Sequence, residues 1–242
     1  VNEVIAWLTD GANWTGGEGI WLRTWEHVSY SGIALVLAAL IAVPLGLAVG
    51  HTGRGRFLAV NITGAFRAIP SLGLLFIGIM LISPRLSGEA SVLVPTELVL
   101  TVLAIPPILA GTYAGVEQVD AAARDAAKGM GMTGSEVLWR VEVPCALPLI
   151  ASGLRSAALQ VIATATLAAT VGLGGLGRYL IDGLSVRDYA QMAGGALLVA
   201  ALALLVDLAA SLLQRAVVSP GLSGRAAGRR TSVRTSLRTS GS

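Results

Sequence analysis

The sequence predicts an all-α protein, a polytopic transmembrane bundle of about five spans interrupted by one long polar loop. Three observations carry this expectation. Of 242 residues, 54% are hydrophobic and only 13% are charged, whereas a soluble domain carries about 25% charged residues. The apolar residues fall in blocks long enough to cross about 30 Å of hydrocarbon at about 1.5 Å per residue. No segment shows the short alternation of a membrane β-barrel. Helices are then the default, because lipid offers no partner to an unpaired backbone group.

Residues 1–30 come first. Trp7, Trp14, Trp21 and Trp25 would share one face of an ideal helix, but Gly11, Gly16, Gly17 and Gly19 interrupt it. The expectation is a broken amphipathic segment, either on the outer membrane surface with tryptophans at headgroup level or packed against the bundle. There is no basic n-region and no early apolar h-region, so no cleavable signal peptide is expected.

The spans run about Ser31–Gly50, Phe57–Ile82, Ser91–Val116, Cys145–Val171 and Ala190–Val218. The second contains Arg67 and Pro70; the third contains Pro95, Pro106 and Pro107; the fourth contains Arg155; the fifth contains Asp207. The domain of spans thus covers 31–218. The segment from Ser219 to Ser242 is rich in Ser, Thr, Gly and Arg and is expected to be a disordered basic tail. Cys145 is the single cysteine, which excludes an intramolecular disulfide. Next to Pro144 it reads as a small apolar residue.

Basic residues set the expected orientation. With the N-terminus outside, the inner segments hold Arg54, Arg56, Arg124, Lys128, Arg140 and five further arginines beyond Arg215, which itself makes the eleventh. The outer segments hold four: Arg23, Arg85, Arg178 and Arg187. The C-terminus is then inside.

The polar stretch 117–144 is the most informative part of the chain. Val119 to Met130 is alanine-rich and of strong helix propensity. Gly129 and Gly131 end it. Thr133 followed by Glu136 is a capping box, which predicts a second short helix from about Gly134 to Glu142. Two short helices about a glycine elbow make a knob suited to lying in a partner's groove.

These residues resemble the signature of ABC-importer permeases: a Glu-Ala-Ala triplet, three residues, Gly, nine residues, an aliphatic, any residue, an aliphatic, Pro. Here Asp125-Ala126-Ala127, Gly131, Val141, Val143 and Pro144 stand at those spacings, with Asp125 replacing Glu. Arg67 to Leu72 (R-A-I-P-S-L), Pro106 to Val116 and Val171 to Gly177 (V-G-L-G-G-L-G) resemble the glycine betaine/carnitine/choline branch, and methionine permeases resemble the last of these. The resemblance covers about 31–218. It implies a methionine-importer-permease-like core whose loop inserts into an ATPase. It implies a cytoplasmic pair of ATP-binding subunits that carry ATP and Mg, a second permease subunit and an external solute-binding protein. The expected coupling residues are Arg124, Asp125, Ala126, Ala127, Lys128, Gly131, Met132, Thr133, Val141, Val143 and Pro144. The alanines let a groove wall approach closely, Gly131 turns the backbone without a Cβ penalty, and Arg124, Asp125 and Lys128 are expected to fix register by ion pairing with the partner.

Charges inside spans are costly and are candidates for function. Arg67 precedes Pro70, which bends a helix and frees a carbonyl; with Ser71 they form a candidate gate, or Arg67 caps freed carbonyls or snorkels. Arg155 shares a helical face with Ser152, Ser156, Gln160 and Thr164, a candidate pathway lining or subunit interface. Asp207 is expected to pair with a basic residue. The glycines at 172–177 allow close packing or hinge motion.

Other classes fit less well. Lys128 is the only lysine and Gly129 follows it, so the chain holds no Walker A loop and is not itself expected to be an enzyme. His27 and His51 lie at opposite ends of the first span, and no metal-ligand spacing appears. No nucleic-acid partner is expected. A stand-alone secondary transporter would show an inverted repeat, and none is visible.

Overall fold

The computed structural model describes residues 1–57, 61, 64 and 69–217. The helices among them are α1 (Asn2–Thr9), α2 (Ile20–Thr52), α3 (Ser71–Ile82), α4 (Ala90–Glu117), α5 (Ala121–Gly129), α6 (Gly134–Val137), α7 (Val143–Ala165), α8 (Gly177–Val186) and α9 (Tyr189–Val217). Among the described residues, four helical stretches are long and apolar enough to cross a membrane: α2, α4, the run Gly134–Val171 that includes α7, and α9. Of the second expected span, Phe57–Ile82, the described residues include α3, which is shorter. It starts after Pro70, whose extended ψ of 113° cannot continue a helix. Residues 58–60, 62, 63 and 65–68, Arg67 among them, lie outside the described residues, as does the expected tail.

Small residues set the core. Ala34, Ala38 and Ala42 of α2 pack in one cluster with Leu100, Ala104 and Ile108 of α4 and with Ala157 and Val161 of α7. The two helices α2 and α4 run parallel in constant register, since Gly46 lies against Thr112 and Gly50 against Val116. A Cβ at Gly46 would sit 2.7 Å from the Thr112 Cβ. Against α7 the approach is closer still and antiparallel. Gly111 faces Gly153, and a Cβ on Gly111 would lie 2.7 Å from the Leu149 carbonyl oxygen. Membrane helices lack a hydrophobic drive to associate, so such backbone proximity and its dispersion contacts hold the bundle.

Helix α4 runs through Pro95, Pro106 and Pro107 without a break. Pro107 has no N–H to give the Leu103 carbonyl. Gln160 of α7 supplies the donor instead, its Nε2 lying 3.0 Å from that oxygen. In water such a carbonyl would be solvated; within the bundle a neighbouring side chain must do it.

The first long helix begins at Ile20 rather than near Ser31. The tryptophans therefore divide. Trp21 and Trp25 lie on the start of α2 and are exposed. Trp7 and Trp14 pack on Ile20, Leu176 and Tyr179, with the Trp7 and Tyr179 rings edge to face at 5.1 Å. Asn13 and Trp14 donate to the carbonyls of Trp7 and Leu8, at 2.8 and 2.7 Å, and fold the segment back on itself. Trp7 and Trp14 thus take the second of the two expected placements, packing against the bundle.

The glycine stretch 172–177 is built for close packing. Gly172 and Gly175 have φ of 91° and 90°, a region L side chains avoid. The Gly175 N–H donates to Glu26 at 2.7 Å. His27, fully buried beside it, donates from Nε2 to the Ile162 carbonyl at 2.9 Å. The stretch ties the end of α7 to the start of α2.

Candidate functional site

The loop between α4 and α7 is organised by its caps. The Asp120 side chain accepts from the Ala122 N–H at 2.9 Å and starts α5. The end of α5 is a Schellman closure: Met132 N–H bonds the Ala127 carbonyl at 3.2 Å and Gly131 N–H bonds that of Lys128 at 2.9 Å. Gly131 sits at φ +85° with open space around its missing Cβ, so backbone geometry alone demands glycine there. Thr133 and Glu136 then form the expected capping box, with both reciprocal bonds present. The hydrogen bond from the Thr133 N–H, with that of its hydroxyl, holds the Glu136 carboxyl below the usual carboxylate range.

The second expected helix is not a separate element. After α6 the backbone widens into a π turn over Leu138–Glu142 and passes directly into α7. Pro144 explains this, since its ring crowds the carbonyl four residues back and a wider turn relieves the contact. The knob is therefore one free helix, α5, hinged at Gly131 on the end of a long helix.

The motif divides into two sets by what each side chain touches. Asp125, Ala126, Lys128 and Gly129 are exposed, and so are Gly131, Thr133 and Pro144. Met130 is 73% exposed, which is unusual for a methionine not facing lipid or a partner. Ala127 is buried, Met132 and Val141 are half-buried, and Val143 packs on the cluster of Leu47, Val116, Ala146 and Ile150. The aliphatics of the motif thus anchor the loop to the bundle, leaving the small-residue face of α5 free.

Arg124 departs from its expected role. Its guanidinium turns inward, with Nε 2.7 Å from Oε1 of Glu142 and a terminal nitrogen donating to the Val116 carbonyl at 2.5 Å. Glu142 is only 2% exposed and takes His51 on its other oxygen, Nδ1 to Oε2 at 2.6 Å. Asp125 and Lys128 remain exposed on α5. Glu142 and His51 were not among the sequence candidates. The readable signal was an acid between Val141 and Val143 at the start of an apolar span, where it must find cations.

The candidate pathway residues do not form one constellation. Arg155 turns toward α9 and makes a bidentate pair with Asp207, at 2.5 and 2.6 Å, as expected for Asp207. Ser152, Ser156 and Gln160 remain exposed along α7, although the Gln160 amide is engaged by the Leu103 carbonyl. Thr164 bonds its own helix at the Gln160 carbonyl, 2.8 Å away, and lines a small groove with Ser71 and Leu75 of α3. Pro70 is exposed at the start of α3. Among the described residues no group of three or more His, Cys, Asp or Glu could hold a metal ion.

An all-helical bundle with membrane-length helices, carrying a capped small-residue helix at its surface, defines a multi-pass membrane protein. Residues 33–219 match the family described as binding-protein-dependent transport system inner membrane component, and the chain belongs to that family. It is 35% identical to the glycine betaine/carnitine/choline transport system permease protein OpuCB of Bacillus subtilis (strain 168), over 93% of this chain and 98% of the relative. It is 34% identical to the choline transport system permease protein OpuBB of the same organism, over 86% and 93%. It is 33% identical to the osmoprotectant import permease protein OsmW of Salmonella typhimurium, over 91% and 99%. Among solved structures, a chain of the MetNI methionine ABC transporter in an inward-facing conformation superposes with a TM-score of 0.71 at 22% identity, over 85% of this chain and 100% of that one. The two share a fold.

Proposed function

We propose that the chain forms the translocation pathway of an ATP-driven ABC importer for a small osmoprotectant such as glycine betaine, choline, carnitine or proline betaine. The observation that carries the reading is α5: a capped, exposed, alanine-rich helix shaped to lie in a groove, on a loop whose Val143 packs on the bundle. A pair of ATP-binding subunits supplies that groove and holds ATP and Mg. A second permease subunit, identical or related, completes the pathway, and an external binding protein delivers the solute. Named relatives that transport betaine, carnitine and choline favour the osmoprotectant class. Methionine and ergothioneine are the alternatives, with only fold likeness behind methionine.

The solute is read most simply at the receptor. Titration of the cognate binding protein is expected to show heat for betaine, choline or carnitine and none for methionine; the reverse result rejects the solute class. Aromatic side chains suit quaternary ammonium groups, and the spans are poor in them, so recognition belongs on that protein.

The excess of basic residues in the loops taken as inner supports an N-terminus outside and a C-terminus inside. Ser87 and Ser135 are both exposed and lie in segments assigned to opposite sides. Cysteines placed at the two positions, in a chain whose Cys145 is replaced by Ala, are expected to label from opposite faces. Labelling of both from one face rejects the orientation.

A further inference from the structure

We propose that Glu142 is a positioning residue that locks α5 to the bundle, so that a displacement of α5 moves α2, α4 and α7 together. The proposal rests on the reading of α5 as the ATPase-docking helix and adds the means by which its motion is passed on.

Three segments meet at one carboxylate, and a fourth joins them through Arg124. The last turn of α2 contributes His51, 2.6 Å from one oxygen. Helix α5 contributes Arg124, 2.7 Å from the other. The same guanidinium holds the Val116 carbonyl at the end of α4. Glu142 itself sits in the π turn that opens α7. Without this junction α5 has little to hold it sideways. Ala127 is its one buried side chain, and it is joined to the chain by Gln118–Asp120 on one side and by the Gly131 elbow on the other. Apolar packing through a single methyl group permits sliding and rotation; a guanidinium ion-paired with Glu142 and hydrogen-bonded to the Val116 carbonyl resists both.

The burial of Glu142 points the same way. An ion pair taken out of water contributes little net stability compared with an apolar replacement of similar size, because desolvation offsets the attraction. What it does supply is geometry: fixed directions, at full strength in a low dielectric. The acid also occupies the one unspecified position between the two motif aliphatics, so the anchoring valines hold it against the bundle.

The test uses the whole complex with its ATPase and loaded receptor in proteoliposomes, and reads three quantities: membrane abundance, ATPase co-purification, and solute imported per ATP hydrolysed. Two variants are compared, Glu142→Gln and the double replacement Arg124→Leu with Glu142→Leu. Both are expected to keep the ATPase, because the exposed face of α5 is untouched. The double variant is expected to reach wild-type abundance, since no buried charge is left alone. Import per ATP is expected to fall about tenfold or more in both, a common size for coupling between two sites. Restoration of import per ATP in the double variant overturns the proposal, because a purely structural role is satisfied by apolar packing. Should neither variant accumulate, Arg124→Lys decides: one ammonium cannot hold both Val116 and Glu142 as the guanidinium does, and wild-type import per ATP in that variant overturns the proposal equally. Failure of the wild-type chain to retain the ATPase is a separate result and rejects the docking reading itself.

Discussion

Replacing Gly131 by valine is expected to lower ATP-driven import sharply while leaving the protein in the membrane. The cause is the backbone. At φ +85° a β-branched residue is strained by about 1–3 kcal/mol. No neighbour lies within 4 Å of the missing Cβ, so steric clash adds nothing. The Schellman bonds of Met132 and Gly131 depend on that φ, and relaxing it swings α5 away from its orientation. Strain of that size corresponds to about 5- to 150-fold in the population of the docking geometry. Membrane abundance should be unchanged, because the lipid-buried faces are untouched. Gly131→Asn, which tolerates the left-handed region, is the control and is expected to retain most of the import. Equal import by the valine and asparagine variants would show that the elbow geometry is irrelevant.

Gly153→Val is expected to do the opposite: remove the protein from the membrane. Its Cβ would sit 2.8 Å from the Pro107 carbonyl oxygen and 3.2 Å from the Gly111 Cα. Both are backbone atoms, so no side chain can rotate out of the way. Overpacking of this kind costs about 1–3 kcal/mol and sometimes more. Here it also draws Gln160 off the Leu103 carbonyl that Pro107 leaves without its own donor. A loss of that size lowers cellular abundance several-fold. Gly32→Ala, with open space at its Cβ, is the matched control and is expected to accumulate normally. Quantitative immunoblotting of membranes decides; equal abundance of the Gly153 and Gly32 variants contradicts the packing described for α4 and α7.

Much of the architecture was legible in the sequence because lipid enforces it. Apolar length alone located α4, α7 and α9. The capping box at Thr133 and the glycine stop at Gly131 appeared where spacing put them, since both are local and owe nothing to tertiary contacts. What the sequence left open turned mostly on packing between elements. Trp7 and Trp14 have the same spacing as Trp21, yet only a view of α8 and α9 shows that they pack inward. The capping box at Thr133 predicts the start of the second short helix but not its end; the π turn over Leu138–Glu142 carries the chain on into α7.

The candidate site was legible as a motif, but the partners of two of its polar side chains were not. Arg124 looked like a surface contact, because alanines surround it in sequence and nothing local shows the acid at Glu142. Gln160 looked like a pathway lining, because a polar stripe on a helix carries no mark of which carbonyl it serves. The information lay in Pro107, on another helix. Arg155 and Asp207 were recognised as costly, and the expected pairing of Asp207 was found, but their sequence separation gave no means of matching them beforehand.

The central claim, that this chain imports only when driven by an ATPase docked on α5, is tested most directly by reconstitution. Proteoliposomes carrying the permease, its ATP-binding subunits and the loaded receptor are supplied with radiolabelled choline or betaine, with and without ATP, and with the ATP-binding subunits present or omitted. The account predicts uptake only when ATP and the ATP-binding subunits are both present. Uptake at the same rate after the ATP-binding subunits are omitted would identify a stand-alone secondary transporter and contradict the account.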